Sequence, residues 1–344
     1  MRPLSFHNHL VLVVALSIGF LLPGKGWGQL FPNLGGQRVG ISAFQFLKLG
    51  VGARGIGLGE TFVAIANDAS ALYWNPAGLV QFSDNQILVA HTEYVLDIKH
   101  EFLGAALHLS PSDAVGFAVT ALRAQDQEIT TEAQPLGTGQ FYSYGDFAVA
   151  ATYSRKMTDQ FSFGLTVRYI EETLDMLKMR GTVVDLGTYY WTGIGTSRFA
   201  VVVTNFGPDV APTGQVTVFS GEQVTSFESF SPPTQFKIGF ALDPVQSADQ
   251  RVTASIELQH PNDNAENLHT GVEYCWNNLL SLRAGVRRTI GEPLLARDNT
   301  TASDYTLGVG INASAAVTNL RFDYAFAHFN DLGSVHRISL GVSF

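Results

Sequence analysis

The last nine residues, His336 to Phe344, alternate between two kinds of side chain. Ile338, Leu340, Val342 and Phe344 fall on one face of an extended chain, and Arg337, Ser339, Gly341 and Ser343 on the other. A period of two is the mark of a strand with one apolar and one polar face. The period recurs upstream. Phe161, Phe163, Leu165, Val167 and Tyr169 alternate with Ser162, Gly164, Thr166 and Arg168, and Val252, Ala254, Ile256 and Leu258 with Thr253, Ser255, Glu257 and Gln259. Leu280, Leu282, Ala284 and Val286 alternate with Ser281, Arg283, Gly285 and Arg287, and Leu320, Phe322, Tyr324 and Phe326 with Arg321, Asp323 and Ala325. A soluble sandwich shows the same period with its faces reversed, so the choice of solvent rests on the ends of the chain and on its charge.

Residues 1–28 read as a secretory signal peptide: Arg2, an apolar run from Leu10 to Leu22, then the small residues Gly26 and Gly28. No later segment reaches the roughly 18 uncharged apolar residues of a membrane helix. Charged residues are 15% of the chain, against about 25% in ordinary globular proteins. An aromatic last residue, Phe344, places a ring at a membrane–water boundary. A closing strand of this kind resembles the C-terminal signal read by the bacterial outer-membrane insertion machinery. The fold class expected is all-β: a transmembrane antiparallel β-barrel of about 14 strands, located in the outer membrane and in contact with its lipid.

The periodic segments fall at 86–98, 100–110, 113–124, 145–156, 160–173, 179–192, 197–206, 233–242, 250–259, 268–276, 280–290, 303–313, 319–327 and 335–344. Tight turns at Ser110–Asp113, Lys156–Gln160, Thr192–Ser197 and Trp276–Leu280 alternate with longer connections at Gln125–Tyr144, Gly207–Pro232, His260–Asn267 and Gly291–Ala302. Short periplasmic turns and long extracellular loops alternate in this way. The first hairpin, Ile98 to His100, departs by having almost no outer loop. Tyr153, Tyr190, Trp191, Trp276 and Phe344 all fall toward the periplasmic ends, where an aromatic girdle belongs.

A net charge of −9 argues against nucleic acid as a partner, because that calls for a basic patch. The single Cys275 rules out an intramolecular disulfide and cannot make a zinc site alone. Gly50 to Gly55 matches G-x-G-x-x-G, but the strand, helix and βαβ unit that give that pattern meaning are missing. The nine histidines show no metal-ligand spacing, and no serine, histidine and carboxylate stand out as a triad. Neither an enzyme nor a cofactor site is expected.

Residues 29–85 form an extension before the barrel of 86–344. Asp68 is placed to cap a short helix over Ala69–Trp74. Asn75 ends it, because the residue before Pro76 is pushed out of the α region. The glycines before it allow close packing, so the segment suits a plug in the lumen. Phe46 to Leu79, and above all Asp68-Ala-Ser-Ala-Leu-Tyr-Trp-Asn-Pro-Ala-Gly-Leu79, resembles the N-terminal signature of the PorV/PorQ family. These are outer-membrane proteins related to the long-chain fatty-acid transporter FadL. The resemblance implies a fourteen-strand barrel with a hatch in its lumen, to which Arg54, Asp68, Trp74, Asn75, Pro76, Ala77 and Gly78 belong. It also implies a role in type IX secretion, with the C-terminal domains of exported cargo and a translocon barrel as partners. Gly78 stands where the PorV pattern has lysine, which matches the broad family better than either named member.

Glu257, Glu273, Arg283, Arg287, Arg321, Asp323 and Arg337 have lumen-facing parity, suited to internal ion pairs, and Arg54 could reach them from the hatch. Phe141, Tyr142, Tyr144, Phe219, Phe227 and Phe230 lie in the long loops, suited either to protein recognition or to a lid over the mouth. Three roles stay open on these residues: a protein-binding secretion component, a FadL-like channel for apolar small molecules, and a structural barrel.

Overall fold

A computed structural model describes residues 40–217, 221–290, 303–315, 318–329 and 333–344. The signal peptide, Phe219 and the 291–302 connection therefore lie outside the described residues. Fourteen antiparallel strands close into one barrel. In chain order they are β1 (Gln86–Glu93), β2 (Lys99–Ser110), β3 (Asp113–Arg123), β4 (Tyr144–Lys156), β5 (Phe161–Leu174), β6 (Leu177–Trp191) and β7 (Arg198–Phe206). They continue as β8 (Gln235–Gln246), β9 (Gln250–Pro261), β10 (Asn267–Trp276), β11 (Leu280–Thr289), β12 (Ser303–Ala315), β13 (Thr318–Phe329) and β14 (Gly333–Ser343). Each strand pairs with its sequence neighbours, and β14 returns to β1 with Gln86 opposite Ser343. Asn85 and Phe344 then exchange two backbone hydrogen bonds, so closure leaves no sheet edge.

The alternation read from sequence is the alternation of exposure. On β5, Phe163, Val167 and Tyr169 are exposed outward, while Ser162, Gly164, Thr166 and Arg168 are buried inward. No helix among the described residues is long and apolar enough to cross a membrane, so any crossing falls to the strands.

Four local expectations change. β1 stops at Glu93, because Val95–Asp97 make a 3₁₀ turn in which Leu96 and Asp97 take φ of 60° and 58°. The first hairpin thus has a true loop, with Leu96 exposed at its tip. Tyr144 is the first residue of β4 rather than a loop residue, and its hydroxyl donates to Asp146. Trp191 turns inward, where its indole N–H donates to Gln81, while Tyr153, Tyr190, Trp276 and Phe344 stay on the outer surface. The short helix covers Ala71–Trp74, two residues later than expected, and follows a turn that Asp68 caps: its carboxylate accepts from the Ser70 N–H and hydroxyl, and its carbonyl from the Ala71 N–H.

The hatch fills the middle of the lumen. Ile56, Leu58, Phe62, Leu72, Trp74 and Leu79 of the extension are at most 1% exposed. They pack on inward alanines of the wall, among them Ala106, Ala114, Ala200, Ala241 and Ala325. Each such side chain contributes about 1.5–3 kcal/mol by leaving water. Small wall residues make the room.

Candidate functional site

The hatch descends through the lumen from the long-loop end to the short-turn end. At the long-loop end, the Ala43 N–H donates to the Ser231 carbonyl and the Phe44 N–H to Glu172. Lys48 and Gln45 both reach Asp263 at 2.9 Å. Phe44, Phe46 and Leu47 pack there with Leu122, Ile170, Val183, Val210 and, at the cluster's edge, Phe230. The chain then turns into a helix, α1 (Ala53–Gly57), crosses the lumen, and forms α2 (Ala71–Trp74) and a 3₁₀ turn over Pro76–Val80. At the short-turn end, Gln81 donates to Ser162.

Six charged groups lock this segment to the wall in a closed ring. Arg54 donates to Asp68 at 2.9 Å and grips Glu273 with two nitrogens, each at 3.0 Å. Arg283 links Glu273 to Asp323, both at 2.7 Å. Arg321 closes the ring, donating to Asp68 at 2.9 Å and lying 2.9 Å from Asp323 in an ionic contact whose angle falls short of a hydrogen bond. Three cations thus alternate with three anions, and the ring is neutral. Arg321 keeps some exposure; the other five side chains are nearly all buried. Two-pronged arginine–carboxylate contacts of this kind fix geometry as well as charge. Burial alone would raise the Asp68 carboxyl, but Arg321, Arg54 and the Ser70 hydroxyl outweigh it and hold it well below the usual carboxylate range. Its share of stability is therefore present above the ordinary carboxylate pKa and is lost only as strong acid passes the lowered value.

The second fastening is steric. Gly164 and Gly187 face the Asn75–Pro76 turn so closely that a Cβ on Gly164 would stand 2.2 Å from the Pro76 carbonyl carbon, and one on Gly187 2.2 Å from Asn75 Oδ1. Gly271, Gly285 and Gly308 do the same for Leu58, Gly59 and Gly57. Gly59 has φ of +68°, and a side chain there would meet the Val286 amide at 2.8 Å. The hatch and wall backbones touch along this line of glycines. Gly78 belongs to the same economy of space: a Cβ on it would stand 2.5 Å from the Ala66 carbonyl, so lysine could not enter in this arrangement. The G-x-G-x-x-G pattern has a packing cause too, since Gly50 and Gly55 lie against the Trp74 indole, whose N–H donates to Val51.

Asn75 is fully buried and spends its whole side chain. Its Oδ1 accepts from Ala77 N–H, and its Nδ2 donates to the carbonyls of Val63 and, on β6, Thr188. Asn75→Ala takes the side-chain partner from two buried backbone groups, the Ala77 N–H and the Val63 carbonyl, each worth about 1–3 kcal/mol when orphaned. Limited proteolysis in detergent is expected to cut the variant's hatch while the wild-type hatch survives.

Two cavities flank the hatch. One of about 210 Å³ at the long-loop end is lined by Lys48, Glu60, His269, Arg287 and Asp304, where Arg287 pairs with both Glu60 and Asp304. The other, about 290 Å³ at the short-turn end, is lined by Asn278, Asn312, Asn319 and Arg321 and shares no lining residue with the first.

Residues 34–261 match the family described as "Type IX secretion system protein PorV", which is most of the chain. The chain belongs to the PorV family. Among solved structures, this PorV-family barrel is similar to the CymD monoaromatic hydrocarbon channel, with 14% identity over 86% of this chain and 96% of the other, at a TM-score of 0.59. The toluene transporter TbuX of Ralstonia pickettii aligns at 13% identity, over 86% and 97% of the two chains, with a TM-score of 0.57. A Pseudomonas aeruginosa FadL homologue aligns at 12% over 86% and 98%, also at 0.57. These likenesses establish a FadL-like fold. No curated protein matches.

In the frame of this PorV-family barrel, Arg54, Asp68, Trp74, Asn75, Pro76, Ala77 and Gly78 all lie in the lumen and converge on two walls, β10–β13 for the charges and β5–β6 for the turn. The loop aromatics do not converge. Phe141 and Tyr142 form a two-residue ribbon with Gln127–Glu128 and are exposed, while Phe230 is held against the hatch. Sequence reasoning passed over the glycines at lumen parity and Lys237, which is buried with its Nζ 5.5 Å from the Trp74 ring. A glycine recurring at the inward position of strand after strand was the available signal.

Proposed function

We propose that this chain is a non-enzymatic, protein-binding component of a type IX-like secretion or surface-attachment system, set in the outer membrane. The observation that carries the reading is the neutral ring around Arg54, which makes the hatch part of the barrel's core rather than a loose gate. A barrel whose lumen is solid acts through its loops and its outer wall. The exposed ribbon bearing Phe141 and Tyr142, with Leu136 at its tip, suits protein recognition. A second reading, passage of an apolar solute, is favoured by neighbours titled as hydrocarbon channels and a toluene transporter.

The test is extraction of the tagged protein from its own outer membrane in mild detergent, with quantitative mass spectrometry of what accompanies it. A large translocon barrel, or proteins sharing a C-terminal domain, is the expected result. Replacing residues 127–142 by a short linker should remove these partners at least tenfold. It should leave the barrel's gel shift on heating unchanged, because the ribbon packs on nothing in the lumen. A solitary barrel carrying apolar ligand would transfer the case to the second reading.

A further inference from the structure

Asn75, Gln81 and Asn205 each spend both ends of a buried or half-buried carboxamide in hydrogen bonds. Gln235 and Gln259 spend neither. Gln235 on β8 is 3% exposed and Gln259 on β9 is half-buried, yet neither side chain makes a hydrogen bond among the described residues. Both line the cavity of about 210 Å³ at the long-loop end. In the ladder Gln235 lies opposite Pro261 and Gln259 opposite Lys237, so the two amides are diagonal neighbours on the lumen face. His269 on β10 lines the same cavity two residues deeper, 3% exposed and with its Nδ1 unpartnered.

The lining carries no surplus charge. Its cations are Lys48, Arg287 and Arg288 and its anions Glu60 and Asp304, and Asp263, which pairs with Lys48, makes three of each sign. One row deeper on the same wall, Lys237 and Glu257 stand one against one, and Arg337, across the lumen on β14, does not line the cavity. Nor is the cavity apolar. Among its described lining residues only Pro261 lacks a polar side chain.

These features select a ligand. An apolar solute would leave the free amides unpaired, which is costly in a closed space. An ion would find every charge beside it already answered. A hydroxyl both donates and accepts, and two hydroxyls on adjacent ring carbons match the side-by-side donor and acceptor of one carboxamide. At about 30 Å³ per water the cavity has room for about seven waters, the scale of one pyranose ring.

We propose that this cavity is a pocket for one neutral sugar residue presented from outside, held by Gln235 and Gln259 with His269 beneath them. The inference goes beyond the secretion reading and does not rest on it. Lys48 and Glu60 of the hatch belong to the lining, and no lining residue is shared with the cavity at the short-turn end, so the pocket retains a sugar rather than passing it.

The test is saturation-transfer NMR on the whole barrel in lauryldimethylamine oxide, a detergent without a sugar head. The probes are the methyl glycosides of glucose, galactose and mannose, and the glycan chains released from the same outer membrane by mild acid. Transfer to at least one probe is expected. Gln235→Leu and Gln259→Leu should each raise its half-saturation concentration at least tenfold, while the barrel's gel shift on heating persists. Asn319→Leu, in the cavity at the short-turn end, should leave binding unchanged. Binding of a simple glycoside supports a free sugar as the source, and binding of the released glycan alone supports a surface polysaccharide. No transfer to any probe, or transfer that survives both glutamine substitutions, would overturn the pocket. So would toluene giving the same glutamine-dependent transfer, because that would make the site apolar in practice.

Discussion

Arg54→Ala will unfasten the hatch. The substitution leaves Glu273 with Arg283 as its close partner and Asp68 with the less buried Arg321, so each of two enclosed carboxylates loses one of its two close counter-charges. Breaking a buried pair from one side costs about 3–5 kcal/mol, because the remaining charge stays desolvated. Arg54 also donates to Asn67 at 2.6 Å and stacks over Phe62 at 5.2 Å, so alanine removes packing as well. The expected result is rapid cleavage between Gly40 and Val80 by protease in detergent, with the strands still protected. Arg54→Lys should recover only part of this, since one ammonium cannot bridge two carboxylates with paired contacts. A single-channel recording in planar bilayers adds a second readout, with the variant passing ions that the parent blocks. Unchanged protection and unchanged conductance together would mean the ring is ornamental.

Gly164→Val and Gly187→Val come next in size. A Cβ on Gly164 would meet the turn's backbone, which has no flexible end to move aside, and one on Gly187 would meet the hydrogen-bonded Asn75 Oδ1 and the Pro76 ring. Overpacking typically costs about 1–3 kcal/mol per site, and more where backbone must shift. The two glycines lie opposite one another in the β5–β6 ladder and press on the same turn, so the double variant should be far from additive. Both singles should expose the hatch to protease, and Gly239→Val, which faces the flexible side chain of Val63 along with Ala64, should do so less. If Gly164→Val kept its hatch protected, the tight wall contact would not be what seats the turn.

The barrel was readable because membrane crossing imposes a local rule. Every second residue meets lipid, so each strand carries its own evidence, as Phe161–Tyr169 and Leu320–Phe326 do. Two of the tight turns carry theirs in Gly193 and Gly195 and in Asn277 and Asn278, all at positive φ. The errors fell where local signals were spent on something distant. Asp68 does cap the turn before Ala71–Trp74, yet the same carboxylate also serves Arg54 and Arg321, which no local pattern announces. Trp191 looked like a girdle aromatic, but its indole serves Gln81 and its face the Arg198 guanidinium. Phe230, suited by sequence either to recognition or to a lid, packs against the cluster that holds Phe44.

Sequence by itself determined the strand count, the inward and outward sides, and the family, since each depends on period or on contiguous motif. The tertiary structure alone decided that six charges form a closed ring, because Arg54 and Glu273 stand 219 positions apart and no local pattern pairs them. It alone gave the inward glycines their purpose, since a missing side chain carries meaning only once the backbone it admits is in place.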